Sequence, residues 1–259
     1  MVATNAGLAT LSSEPLTLHS AVTGAEADLL AGFSRTVVYS IADTAANVLA
    51  STGLDKAVNI TVTTPLSLAE VVRLESASNS GVNSYDILDT AAHLLSAKEQ
   101  LLALAGQVTA STAATGAEAG VLAGFAKPVV YSISDTAAEV AASTGLHQAV
   151  DITATTAATV AEAMVIAAAS NRGRKLFDVE DTAAHLAASS DGLLTLAGHV
   201  TANTPATGAE ASVLAGYTRP VVYSISDTAA GVAASTGWRP AGDSAAARGA
   251  TWAVATAIA

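Results

Sequence analysis

The sequence predicts an α/β protein: a right-handed α/β solenoid of about ten 23-residue strand–helix coils, with a single parallel sheet on one side and helices on the other. Three observations lead there. The decapeptide VVYSISDTAA stands at 129–138 and returns unchanged at 221–230, with VVYSIADTAA at 37–46. Asp-Thr-Ala-Ala begins at Asp43, Asp89, Asp135, Asp181 and Asp227, always 46 residues apart, and alternate units match better than neighbours, so the full duplication is 92 residues. Each 46-residue step then divides into two strand–helix patterns. A fixed period of this size marks a stacked repeat in which each unit buries its apolar face against the next.

The residue after each strand-like run is Ser20, Asp43, Thr64, Asp89, Thr112, Asp135, Thr156, Asp181, Thr204 and Asp227, at spacings of 21 to 25 residues. All are Ser, Thr or Asp, the types whose side chain caps a helix N-terminus. Each is therefore read as an N-cap, the five Asp as structural helix caps. In the coils without Asp a capping box follows three residues later: Thr23 with Glu26, Ser67 with Glu70, Thr115 with Glu118, Thr159 with Glu162 and Thr207 with Glu210. Two and four residues before each of the ten positions the side chain is apolar or Tyr, as in Ile41/Tyr39, Val62/Ile60 and Ile133/Tyr131. That period of two describes a strand with one buried face. Strands joined through helices run parallel with right-handed crossovers, and ten of them at ~4.8 Å each span roughly 48 Å. Alanine-rich helices sit close to such a sheet. Phe33, Phe125 and Tyr217 share one repeat position and are expected to stack inside. A doubly wound domain would carry GxGxxG and no fixed period; the motif is absent.

The repeat domain spans 16–237. Residues 1–15 form an N-terminal lead-in. Residues 238–259 form a C-terminal non-repeat tail or cap, in which Trp238, Trp252, Val254 and Ile258 are suited to fold over the last coil. The N-terminal strand, around Leu16 and Leu18, is the edge expected to pair with another chain.

Composition narrows the function. Half the residues (51%) are hydrophobic but only 4% aromatic, so the core is built of small side chains. A net charge of −11 leaves no electrostatic footprint for nucleic acid. No cysteine is present, which removes disulfides, thiolate nucleophiles and Cys-based zinc sites. No apolar run reaches the length of a membrane span. The first twenty residues lack a basic segment followed by an apolar one, so no cleavable signal peptide is expected.

The phrase I-S-D-T-A-A, the Ala-rich helix after it and the neighbouring I-T-x-T strand resemble "DTAAN"-type repeat tracts of large bacterial secreted or surface proteins of the type I secretion kind. The resemblance covers roughly residues 16–237. It implies a secreted or cell-surface location reached without a cleavable signal peptide, with a cytoplasmic one left open, and it implies no activity. The calcium nonapeptide GGxGxD that such proteins carry is absent here.

The solvent face of the strands is the one extended candidate surface. Thr61 and Thr63, Thr109 and Ser111, and Thr153 and Thr155 form hydroxyl pairs suited to a polysaccharide, a mineral or ice. Asp178 and Glu180 sit two apart on one strand, about 7 Å from each other, with Asp151 and Asp86 at related places. Paired carboxylates serve acid–base chemistry on glycosides. His93 and His185 hold one repeat position four coils apart and cannot share a metal. No Ser/His/Asp set, metal site or cofactor motif is read. The expectation is a non-enzymatic repeat module, a spacer or adhesive segment, with a polysaccharide or another copy of the repeat as partner. The alternatives are a carbohydrate-binding or carbohydrate-active solenoid centred on Asp178 and Glu180, and ice binding through the hydroxyl ladders.

Overall fold

The computed structural model describes residues 14–237. It is an α/β structure of short parallel sheets alternating with short helices. The expected lead-in up to residue 13 and the tail with Trp238, Trp252, Val254 and Ile258 lie outside the described residues. The chain divides into two compact units, Met1–Thr112 with Phe125–Val130, and Ala113–Gly124 with Tyr131–Ala259.

In the first unit, β1 (Leu16–Thr17) pairs with β2 (Val37–Val38). β3 (Ile41–Asp43), β4 (Ile60–Val62) and β5 (Asn83–Ser84) form a second sheet, and β6 (Ile87–Asp89), β7 (Val108–Ala110) and β8 (Val129–Val130) a third. Between them run α1 (Gly24–Ala31), α2 (Ala45–Ala50), α3 (Leu68–Leu74), α4 (Ala91–Leu95) and α5 (Glu99–Leu104). The second unit holds β9 (Ile133–Asp135), β10 (Ile152–Ala154) and β11 (Lys175–Leu176) in one sheet, and β12 (Val179–Asp181), β13 (Val200–Ala202) and β14 (Val221–Val222) in another. Its helices are α6 (Gly116–Leu122), α7 (Ala137–Ala142), α8 (Val160–Ala168), α9 (Ala183–Ala188), α10 (Asp191–Leu194), α11 (Gly208–Leu214) and α12 (Ala229–Ala234). Every pairing is parallel.

The strands thus form five separate sheets instead of the single one expected. The reason lies in the segment VVYSIAD. Its first half, β2, pairs back with β1, while its second half, β3, pairs forward with β4. At the step between the halves, the Tyr39 carbonyl accepts from Val58 N–H at 2.8 Å and the Ser40 Oγ accepts from Asn59 N–H at 3.3 Å. A side chain takes over where a ladder carbonyl would otherwise accept; just beyond it a single parallel bridge joins Ile41 back to Val22, whose N–H donates to the Ser40 carbonyl at 2.8 Å. The same step separates β5 from β6 at Asp86, and β11 from β12 at Asp178.

The inward face follows the period-two pattern. Ile41, Ile60, Ile87, Val108, Ile133, Ile152, Val179 and Val200 are each no more than 1% exposed. Helices meet them through Ala27, Val48, Val71 and Leu94 in the first unit, and through Ala119, Val140, Ala163 and Leu186 in the second. Small side chains let the backbones approach closely. A methyl on Gly145 would collide with the Ala119 carbonyl, and the Gly145 carbonyl itself accepts from the buried Tyr131 hydroxyl at 2.7 Å. Tyr39 makes the same bond to Gly53 at 2.8 Å.

The expected internal stacking of Phe33, Phe125 and Tyr217 does not occur. Phe33 is 45% exposed, and the other two are half-buried. They follow the last turns of α1, α6 and α11, beyond the apolar stripe that faces the sheet. Tyr217 reaches instead to the carbonyls of Leu186, Ala187 and Ser189, at 2.9 to 3.0 Å.

The close approach sets a test. Gly145→Ala is expected to cost about 1–3 kcal/mol, the usual penalty for overpacking. Gly192→Ala, where an added methyl meets nothing within 4 Å in helix α10, is expected to be neutral or stabilising. Urea denaturation of both variants measures the contrast, and equal stabilities would refute the packing argument.

Candidate functional site

The polar residues singled out from the sequence lie along the strands, where each coil meets the next. Two rows of side-chain acceptors run there, one at the strand ends and one at the strand starts.

At the strand ends stand Asp43, Asp89, Asp135 and Asp181, with Asp227 in the corresponding place after the bridge at Ile225. The N-cap lies one residue later than the sequence suggests: Thr44, Thr90, Thr136, Thr182 and Thr228 cap α2, α4, α7, α9 and α12. Each Asp works between helices. Its Oδ1 accepts from the N–H of the following Thr, at 2.6 to 2.8 Å. Its Oδ2 accepts from the first N–H of the preceding helix: Gly24, Leu68, Gly116, Val160 and Gly208, at 2.8 to 3.0 Å. Thr64, Thr112, Thr156 and Thr204 do the same with one oxygen, accepting from Ala45, Ala91, Ala137 and Ala183 at 2.9 to 3.1 Å. They are not the caps of their own coils either. Those helices carry the five expected capping boxes, in which both reciprocal bonds are present. Ser20 has no helix before it among the described residues.

These bonds require ionised carboxylates. The Asn47 amide, then the Gly24 and Thr44 N–H groups, hold the Asp43 carboxyl below its ordinary range. At Asp181 burial pushes the other way, but hydrogen bonds from Val160, His185 and Thr182 outweigh it and the pKa is lowered. Asp89 follows the same pattern with Leu68, His93 and Thr90. His93 and His185 lie 2.7 and 2.8 Å from these carboxylates, each on its own unit, with imidazoles mostly exposed.

The second row starts the strands. Asn59, Asp86, Asp151 and Asp178 each accept through Oδ1 from the N–H of Val82, Gln107, Arg174 and His199, at 2.7 to 2.9 Å. Each faces a glycine of that next coil (Gly81, Gly106, Gly173, Gly198) whose missing side chain makes the approach possible. Asp178 is also 3.2 Å from His199 Nδ1. Of the proposed carboxylate pair, Asp178 is therefore engaged between coils, and Glu180 is exposed on the same strand, in register with Thr201.

The hydroxyls do not line up as one ladder. Thr61 lies between Ala42 and Ser84, and Thr109 between Leu88 and Val130. Thr153 lies between Ser134 and Leu176. Thr63, Ser111 and Thr155, at the strand ends, are exposed, and their N–H groups donate to the carbonyls of Asp43, Asp89 and Asp135. Leu88 and Leu176 are 44% and 55% exposed. Apolar groups thus interrupt the row within single sheets. Among the described residues no three His, Asp or Glu side chains converge as metal ligands. No helix among them is long and apolar enough to cross a membrane.

No protein-family model matches this chain, and neither does any curated protein or solved structure.

Sequence reasoning missed one cluster. Glu75, Asn83 and Tyr85 come together in the first unit, where Asn83 Nδ2 donates to Glu75 Oε1 at 3.2 Å. The signal was available. Asn83 stands at an inward strand position that is Val in 37, 129 and 221, and Lys175 is the other exception.

Asp181→Ala removes a charged acceptor shared by two helix starts and is expected to cost about 1–3 kcal/mol. Glu180→Ala next to it stays within about 0.5 kcal/mol. The pH dependence follows from the lowered values of Asp43, Asp89, Asp181 and Asp227. A carboxyl with a lower pKa folded than unfolded contributes fully above the unfolded value, about 3.9, and its contribution drains away as pH falls through the folded value. Thermal midpoints should therefore hold from neutral pH down to about 5 and fall steeply below about 4. Midpoints that stay flat to pH 2 would refute the role given to the carboxylates.

Proposed function

We propose that this chain is a non-enzymatic repeat module, a spacer or adhesive segment of a bacterial secreted or cell-surface protein, whose coils stack as a right-handed α/β solenoid. One observation carries the reading: the polar side chains that a site would draw on are committed, coil after coil, to backbone N–H groups of adjacent coils. A catalytic or lectin site concentrates unlike groups at one place. Here the same acceptor meets the same donor at each period. The Asp178 and Glu180 alternative is weakened because Asp178 holds the His199 N–H, and ice binding because the hydroxyl rows are broken by Leu88 and Leu176. The likeness to DTAAN-type tracts agrees with a structural segment between other parts of a large protein.

In a stacked repeat each unit depends only on its neighbours, so whole units can be removed. Deleting residues 131–222 takes out one 92-residue period and joins Val130 to Tyr223, restoring a Val-Tyr step already present at 130–131. The shortened chain is expected to melt cooperatively, with a maximum dimension reduced by roughly 19 Å, four strand spacings of ~4.8 Å, in small-angle X-ray scattering. An unfolded product or an unchanged dimension would overturn the solenoid. Incubation with neutral and acidic polysaccharides should release no reducing ends. Turnover that vanishes in Asp178→Asn/Glu180→Gln would overturn the non-enzymatic reading.

A further inference from the structure

Between the two 92-residue copies several buried positions exchange one apolar side chain for another, as Leu66 for Ala158 and Val71 for Ala163, and one buried corner changes in charge and polarity. In the first unit, the strand position Asn83 and the end of α3 at Glu75 face the same interior corner as Tyr85. Tyr85 is 2% exposed, and its hydroxyl lies beside the Glu75 carboxylate without a well-formed hydrogen bond to it; the Asn83 Oδ1 is buried and has no partner. Burial, then the nearby Glu75 carboxylate, pushes the ionisation of the Tyr85 phenol upward. Corresponding tyrosines have partners: Tyr39, Tyr131 and Tyr223 donate to the carbonyls of Gly53, Gly145 and Gly237. The Tyr85 coil is two residues longer, 23 from Asp89 to Thr112 against 21 from Asp43 to Thr64, and no carbonyl accepts from its hydroxyl.

The second copy resolves the corner differently. Ninety-two residues on, Glu75, Asn83 and Tyr85 become Ala167, Lys175 and Phe177. The carboxylate and the phenol oxygen are gone, and an ammonium has come in. Lys175 Nζ reaches back to the Ala167 carbonyl at 2.7 Å, at the end of α8 where the helix dipole favours positive charge. Where one copy supplies a cation from its own chain, the other presents a carboxylate, a buried amide oxygen with no partner, and a buried phenol oxygen with no well-formed bond. Leaving two such groups empty is costly, and hard cations take carboxylate, amide and other oxygen ligands, with water completing the shell. Glu75 also lines the groove between α3 and α5, with Val72, Lys98 and Leu101.

We propose that Glu75, Asn83 and Tyr85 form a binding site for one hard metal cation, which does in the first unit what Lys175 does in the second. The test melts the full chain in sodium, potassium and calcium chloride against tetramethylammonium chloride at equal ionic strength. Two variants run beside it. Glu75→Gln removes the charge and keeps the shape. Glu75→Ala/Asn83→Lys/Tyr85→Phe installs the residue set already found at 167, 175 and 177, and so is expected to fold. At a cation concentration ten times the dissociation constant, the parent midpoint should rise by about 3–5 °C, and neither variant should share that rise. No rise in any of the three salts, or the same rise in parent and variants, would overturn the site.

Discussion

The fold depends on one hydrogen bond made again and again: the first N–H of a helix donates to a side-chain oxygen at the strand end of the following coil. A helix start leaves several N–H groups without intrahelical partners. The helices here are short, between four and nine residues, so their ends weigh heavily against the bonds inside them. Thr and Ser caps satisfy one donor, the capping-box glutamates support the turn, and Asp43 and its counterparts take the first N–H of the helix. Local helix formation and stacking between coils are thereby one event. Removing a neighbouring coil strips a helix of part of its cap, so each such helix start depends on the coil after it.

Sequence periodicity is one-dimensional, and that decides what it reveals. The 46- and 92-residue periods, the strand faces and the capping boxes are all local patterns, and local patterns are readable. Which coil a side chain reaches is not. Asp135 one residue before Thr136 looks like a cap, and only the structure separates the two roles: Thr136 caps α7 and Asp135 serves α6. The sheet breaks were hidden for a related reason. Tyr39-Ser40 reads as two ordinary strand residues, yet Ser40 diverts a ladder bond to its own side chain. Phe33, in an apolar-rich motif, was expected inside because motif and burial so often coincide. Its place after the last turn of α1 turns it outward. Of the candidate surface, the positions were legible and the commitments were not. Asp178 stands where the alternation puts it, on the solvent side, with its oxygen already taken by the next coil.

The glycines explain why the acceptor rows hold their register. Asn59, Asp86, Asp151 and Asp178 approach backbone only because Gly81, Gly106, Gly173 and Gly198 present no side chain. Acceptor and glycine are a pair, separated by about one coil, and a substitution at either spoils both. Between the copies the corner behind the strand changes its chemistry, from Glu75, Asn83 and Tyr85 to Ala167, Lys175 and Phe177, while the acceptor rows exchange only Asn59 for Asp151, both of which accept through Oδ1.

The step length has a consequence for how the chain reaches this state. The bonds of the two acceptor rows join residues only 19 to 23 positions apart, less than about a tenth of the chain, and a low average separation of contacts goes with fast folding. Parallel sheets ordinarily fold slowly because distant strands must find each other, and they expose unpaired edges meanwhile. Here each strand meets a partner made one coil earlier, whichever end of the chain emerges first. In the solenoid proposed above, ordering can begin at any coil and spread in both directions.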